Sequence, residues 1–205
     1  MNQAVAQKRM SEAEYLAFEA KSNIRHEFMD GEMFAMAGAT RRHNLLSTNI
    51  SRSLGNALEK TDCEIYASDF RVKIREGHNV YPDVAVACGE ILTENNETTL
   101  LNPTIVFEVL SKSTEKRDRG DKAEDYFRLE SLTDYVLVSQ YRLRVEHFSR
   151  QKNNVWTLNI YEDLRDVIEL KSTGAKISLE LVYLKLKMPP LKLLKERKTN
   201  GNKHS

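Results

Sequence analysis

The chain predicts a mixed α/β domain in which a central sheet packs between helices. Three observations lead there. Two runs, Tyr81-Pro82-Asp83-Val84-Ala85-Val86-Ala87 and Ile105-Val106-Phe107-Glu108-Val109-Leu110, are apolar almost continuously instead of alternately. That is the pattern of strands covered on both faces. From His43 to about Leu58, residues Leu45, Leu46, Ile50, Leu54 and Leu58 recur every three to four positions, which predicts an amphipathic helix. A second helical stretch, Asp118 to Leu129, precedes the apolar strand Tyr135-Val136-Leu137-Val138, and this order packs most simply as helices on a sheet.

The remaining elements follow in order. Ser11-Glu12-Ala13-Glu14 reads as a capping box opening a short helix through about Phe18, since hydroxyl and carboxylate can each satisfy the other's backbone donor. Asp30-Gly31 between half-apolar arms predicts an N-terminal hairpin. Strands are expected at Cys63 to Ala67, Phe70 to Arg75, Val80 to Cys88 and Thr104 to Ser111, with the polar stretch Glu90 to Asn102 as a loop. After the strand Asp134 to Gln140, meander strands are expected at Leu143 to Phe148, Val155 to Tyr161 and Val167 to Leu170, with Asn153-Asn154 as a turn.

With 205 residues the chain suits one domain. The expected boundaries are 1–10 as a flexible N-terminus, 11–190 as the domain, and 191–205 as a basic, disordered tail. Charged residues make up 30% and apolar ones 40%, the composition of a globular protein and not of a disordered one. No apolar run approaches the ~20 residues needed to span a bilayer. No charged leader with an apolar core opens the chain, so cytoplasm is the expected compartment and no membrane partner is expected. Cys63 and Cys88 lack the spacing of a zinc site and read as reduced thiols. Net charge is only +1, so any affinity for nucleic acid must come from local clusters.

Asp83 and Glu108 are the residues to explain. A carboxylate inside a buried strand costs several kcal/mol unless a cation or hydrogen bonds compensate it. A hard divalent metal shared by the two is one economical answer, because such ions take oxygen ligands. Separate structural roles, pairing with Arg or closing a turn, are the other.

The ordered set Arg25-x-Glu27-x-x-x-Gly31, His43, Pro82-Asp83-Val84, Pro103-x-x-x-x-Glu108-Val109-Leu110-Ser111 and Asp118-x-x-x-Lys122-x-x-x-Tyr126 resembles the PD-(D/E)XK nuclease superfamily. More narrowly it is similar to the Uma-type branch, from about Ser11 to Pro189. The resemblance implies a restriction-endonuclease-like core that hydrolyses DNA phosphodiesters. In it Asp83 and Glu108 hold Mg²⁺ (or Mn²⁺), a lysine steadies the attacking water, Glu27 joins as a third carboxylate, and His43 lies close to the site. Phosphodiester hydrolysis needs both a cation on the developing charge and a nucleophile near neutral pH. A DNA duplex has two scissile strands, which favours a homodimer.

One departure matters. The superfamily's lysine stands two residues after the second acid, where this chain has Leu110. Lys112 shares the strand parity but lies at the strand end. Lys122, with Arg119 before it and Tyr126 after it on the predicted helix, is the favoured replacement, and Arg119 and Tyr126 are candidate rim contacts to phosphate. A solvated basic helix face explains Arg119 and Lys122 equally well. Asp69 reads as a turn residue, and Tyr66, Tyr81 and Trp156 as core or sheet-surface residues. The alternative function is a nuclease-fold module without catalysis, binding nucleic acid or a protein partner.

Overall fold

The computed structural model describes residues 9–36 and 38–188. The predicted basic tail, 191–205, lies outside the described residues, as does all of the predicted N-terminal segment except Arg9 and Met10. Met10 donates its N–H to Gly31 O at 3.2 Å, which ties this point of the chain to the hairpin turn.

Local chemistry sets the first elements. Helix α1, Glu12–Glu19, begins with Ser11 and Glu14 satisfying each other's backbone donors. Strands β1 (His26–Met29) and β2 (Glu32–Ala35) form a hairpin through Asp30 and Gly31, with φ of 48° and 89°. Positive φ at both central positions matches the twist of the two arms. Helix α2, Arg41–Leu58, starts two residues before the predicted His43, because Thr40 caps it by accepting from His43 N at 3.2 Å.

The central sheet has strand order β12-β11-β10-β9-β6-β3. Its members are β3 (Cys63–Ala67), β6 (Val84–Cys88), β9 (Ile105–Leu110), β10 (Asp134–Ser139), β11 (Val145–Arg150) and β12 (Trp156–Tyr161). Only β9 and β10 run parallel, so the chain between them must cross over, and it does so through α3 (Glu115–Arg119) and α4 (Asp121–Arg128). A second sheet, in order β2-β1-β5-β4-β8-β7, adds β4 (Arg71–Arg75), β5 (His78–Val80), β7 (Thr93–Glu94) and β8 (Thr99–Leu100) to the hairpin. The hairpin β13 (Val167–Leu170) and β14 (Ala175–Ser178) and the turn of helix α5 (Leu179–Val182) complete the domain.

Each face of the central sheet is covered. Leu46, Ile50 and Leu54 of α2 pack with Val84, Val86, Ile105 and Phe107, and β13, β14 and α5 extend that layer. On the other face Ala85, Val106 and Leu110 meet Val72, Ile74 and Val80 of the second sheet and Ala123 and Tyr126 of α4. This is the mixed α/β architecture expected.

Five expectations change. The predicted strand Val80 to Cys88 is two strands in different sheets, broken at Tyr81-Pro82-Asp83, where Pro82 lacks a ladder donor. The predicted loop Glu90 to Asn102 contains β7 and β8. The predicted helix Asp118 to Leu129 breaks at Gly120, where an added Cβ would stand 3.0 Å from Lys116 O. The two cysteines are not reduced thiols: Cys63 and Cys88 form a disulfide, being directly opposite each other in the β3–β6 ladder. Finally, β14 and α5 were not foreseen. Among the described residues no helix is long and apolar enough to cross a membrane.

Candidate active site

The break at Pro82 places Asp83 at the head of β6. The antiparallel register that pairs Val84 with Phe107 continues one step further to bring Asp83 opposite Glu108. Asp83 Oδ2 accepts the N–H of Val109 at 2.7 Å, one step beyond the end of the β6–β9 ladder. Its other oxygen lies 3.2 Å from His43 Nε2 and 3.4 Å from Ser47 Oγ, both on the first turns of α2. This places His43 beside Asp83. Burial alone would lower the His43 pKa, but its contact with Asp83 outweighs this and raises it.

Glu108 lies on the α4 side, close enough to Asp83 for that acid to help raise its pKa, and the charge around it comes from three further elements. Lys122 Nζ, on α4, stands 2.7 Å from Glu27 Oε1, 2.8 Å from Glu108 Oε1 and 3.7 Å from Asp118 Oδ1. The contact to Glu108 is a charge contact without hydrogen-bond alignment, so Glu108 Oε1 is a buried acceptor with no aligned donor. Arg117 Nη2 approaches Glu27 Oε2 at 3.3 Å, and its guanidinium lies 4.4 Å from the Phe34 ring centre. Lys122 is only 2% exposed. Lys112, by contrast, is exposed.

The carboxylates around Lys122 differ in character. Burial would raise the Glu27 pKa, but Lys122, Arg117 and the Tyr81 N–H hold it below the ordinary value. Glu108 is pushed well above the ordinary value by burial; Lys122 opposes this, and Asp118, Asp83 and Glu27 add to it. Asp118 is raised, first by burial. Burial would lower Lys122, yet Glu108, Glu27 and Asp118 raise it well above its ordinary value, so it stays charged. The Tyr126 hydroxyl is buried without a hydrogen-bond partner and raised by burial and by Glu108.

The structure thus brings Asp83, Glu108, Lys122, Glu27, His43 and Tyr126 together. It does not bring Arg119. That side chain pairs with Glu115 and with Glu146 on β11, because the break at Gly120 takes it off the stripe shared by Lys122 and Tyr126. Two members of the cluster were not singled out from the sequence. Asp118, four residues before Lys122, had a spacing signal within the motif; Arg117 stands in the basic cluster Lys112, Lys116, Arg117, Arg119 and Lys122, which reads equally as a charged helix start or a phosphate-binding rim, and its pairing with Glu27 depends on where the hairpin packs.

Four carboxylates, Glu27, Asp83, Glu108 and Asp118, meet two permanent cations, Lys122 and Arg117. Among the described residues no three His, Cys, Asp or Glu side chains form a metal-holding group. Mg²⁺ is commonly held by one or two carboxylates, with water and substrate phosphate completing its shell. Glu108, with a sealed oxygen lacking an aligned donor, and Asp83 beside it fit that pattern.

With this geometry in hand, comparison with known proteins places the chain in a class. Residues 12–181 match the Uma2 family, described as "Putative restriction endonuclease". The chain belongs to that family, and its fold is restriction-endonuclease-like. It is similar to the uncharacterized protein slr1290 of Synechocystis sp., at 34% identity over 177 residues, covering 85% of this chain and 92% of that protein. It is also similar to sll1609 of the same organism, at 36% identity over 151 residues, covering 73% of this chain and 85% of that one. Among solved structures it resembles one titled "a putative nuclease belonging to DUF820" from Anabaena variabilis. That match has a TM-score of 0.65 and 13% identity, covers 85% of this chain and 97% of the other, and is a likeness of fold.

Proposed function

We propose that this protein is an endonuclease that hydrolyses DNA phosphodiester bonds with Mg²⁺ or Mn²⁺ held by Asp83 and Glu108. The observation that carries the reading is the excess negative charge around Glu108, a sealed carboxylate in register with Asp83 and lacking an aligned donor. Four carboxylates share two permanent cations there, an excess of acid that a divalent cation would offset. A divalent cation there would supply Lewis acidity toward the phosphoryl oxygens and help deliver hydroxide near neutral pH.

The chain's own residues take the other tasks. Lys122, kept protonated by its carboxylates, contributes positive charge to the transition state and orients the attacking water. Glu27 fixes the Lys122 ammonium and Arg117 together. His43, partly exposed and held against Asp83, is suited to proton exchange. Arg117, partly exposed beside Glu27, is the cation suited to meet a phosphate oxygen. Since a duplex offers two strands to cut, a homodimer is the assembly that fits this reading.

The test is cleavage of plasmid and linear DNA with Mg²⁺, Mn²⁺ or chelator, in parent, Asp83→Asn and Glu108→Gln proteins. Both substitutions should abolish metal-dependent cleavage and metal-induced thermal stabilisation while leaving a folded protein. Without metal, Glu108→Gln should be at least as stable as the parent, because burial disfavours the charged form of Glu108 and Glu27 and Asp118 remain to pair with Lys122. Cleavage by Glu108→Gln at the parent's rate would end the proposal. A second reading, a non-catalytic module that binds nucleic acid or a protein, is favoured by one observation: Leu110, in the superfamily's lysine position, is a core side chain 1% exposed. Metal-independent DNA binding with no cleavage by the parent would select it.

A further inference from the structure

Tyr81 also lines a cavity of about 710 Å³ whose walls include none of the residues of the ionic cluster and which the chemistry above does not use. Its walls come from α1, the start of β4, Tyr81 and the turn between β7 and β8. The volume falls within the roughly 300–1,000 Å³ of small-molecule sites.

Its most telling wall residue is Arg71. The side chain is buried, 6% exposed, yet it pairs with no carboxylate among the described residues. Its partners are neutral: Nε and Nη2 donate to Thr99 Oγ1 at 2.9 and 2.6 Å, and Nη2 reaches Thr98 Oγ1 at 3.4 Å. Nη1 donates to no described residue. A buried guanidinium without a counter-ion is costly, and Arg is the residue suited to bidentate recognition of phosphate. Glu19, the buried acid of the same cavity, is already engaged by the His26 N–H, by His26 Nδ1 and by the Tyr81 hydroxyl.

A second guanidinium stands nearby. Arg25 is exposed, pairs with no described carboxylate, and lies 5.8 Å from the centre of the Tyr81 ring. Tyr81 offers the cavity an aromatic wall while its N–H helps hold Glu27 in the ionic cluster. At the rim, Asn95, Asn96 and Glu97 are three consecutive residues with φ of 55°, 56° and 61°, a left-handed run for residues other than glycine. It turns the exposed Asn96 and Glu97 toward the opening, where neither side chain has a described partner. Asp69 is the other rim acid. A buried cation, an aromatic side chain and exposed acceptors lining one cavity suit a ligand that carries a phosphate, a ring and amino groups.

We propose that this cavity binds a nucleoside monophosphate unit, either free or as the terminal nucleotide of a strand, with Arg71 and Arg25 on the phosphate and Tyr81 against the base. The nucleoside part rests on the nuclease reading; the anion site does not. The experiment titrates the full-length protein with adenosine 5′-monophosphate, inorganic phosphate and adenosine, followed by calorimetry and by two-dimensional NMR. Adenosine 5′-monophosphate should bind more tightly than either fragment. Arg71→Gln and the exposed Arg25→Ala should each weaken it by about tenfold or more, as expected for a lost charge-assisted contact. Asp83→Asn should bind it as the parent does. A short single strand should bind more tightly with a 5′-phosphate than without if the terminal nucleotide is the natural source; equal binding of the two strands beside tight binding of the monophosphate identifies a free nucleotide.

No detectable binding of the monophosphate, or binding unchanged in Arg25→Ala, overturns the proposal. Inorganic phosphate binding as tightly as the monophosphate overturns its nucleoside part. Should Arg71→Gln fail to fold, Arg25→Ala alone decides. Loss of metal-dependent cleavage from the parent with nucleotide binding intact sinks the nuclease reading and leaves the cavity standing, and the converse result does the reverse.

Discussion

The two faces of the central sheet are built on different principles although the same strands supply both. Along β9, Ile105, Phe107 and Val109 turn toward α2 and join a layer made almost entirely of hydrocarbon. Val106, Glu108 and Leu110 turn the other way, and there the covering layer carries Lys122, Asp118, Asp125 and His78, all buried. On the α2 face the buried amide of Asn49 is satisfied by Val182 O and Leu184 O at 3.0 Å each. Among the described residues both faces hold buried polar atoms without a hydrogen-bond partner, Ser53 Oγ on α2 among them, but on the α4 face they include a carboxylate oxygen, Glu108 Oε1, beside Tyr126 Oη and His78 Nε2. One face holds the fold together. The other tolerates unmet charge, which a fold keeps only when something offsets it or uses it.

The largest break in this comparison should come from Lys122. Lys122→Met keeps the stem and removes the charge that three acids share, so it should destabilise the protein by about 3–5 kcal/mol, the cost of opening a buried pair. Adding Glu27→Gln should restore part of that stability. If the protein cleaves DNA, the single change should also slow it by roughly 10²-fold or more, while Lys112→Met leaves both quantities nearly unchanged. Urea melts of the single and double variants check the first point, and single-turnover cleavage the second. No rescue by Glu27→Gln would mean that Lys122 matters through packing instead of charge.

On the apolar face, Phe107→Ala should cost about 3–5 kcal/mol through lost transfer energy and the cavity left behind. It should leave the pH dependence of stability unchanged, since Phe107 packs among hydrocarbon side chains and is no part of the Lys122 cluster. A changed pH profile in that variant would mean that the two faces are coupled through the sheet.

How much of this was legible beforehand follows from the same contrast. Apolar periodicity exposed α2, β6, β9 and β10 because burial leaves its mark residue by residue. The near-continuous run of β9 also announced a two-sided strand, and Glu108 within it announced a charge needing an explanation. Hidden were the features set by distant packing. Arg117 meets Glu27 only because the hairpin folds over α3, and Cys63 meets Cys88 only through the ladder register. Gly120 was visible but read as part of a helix, since a single glycine is tolerated there; its close approach to Lys116 O is a tertiary fact. Strands β7 and β8, two residues each, are too short for any period to show.

The smallest expected effect tests the comparison at its edge, on Glu12 of α1. This carboxylate accepts from Asn79 Nδ2 and from the Gly77 N–H, both at 2.8 Å, and lies 3.0 Å from Lys73 Nζ. Burial pushes its pKa up, but these donors together bring it down to about 2. It is thus the opposite of Glu108, an acid with too many donors instead of too few. Because its folded pKa lies below the unfolded value of ~4.3, Glu12 adds stability that is present above that value and lost as pH falls toward about 2. Glu12→Gln should therefore lower stability near neutral pH by about 1 kcal/mol, after allowing for the screening of a group close to solvent. The difference between variant and parent should shrink steadily as the medium is acidified. Denaturant melts at a series of pH values give that difference directly. A gap that stays constant down to the acid limit would show that Glu12 acts through the shape of its hydrogen bonds, which glutamine only partly reproduces, and that charge on this side of the molecule matters solely around Lys122.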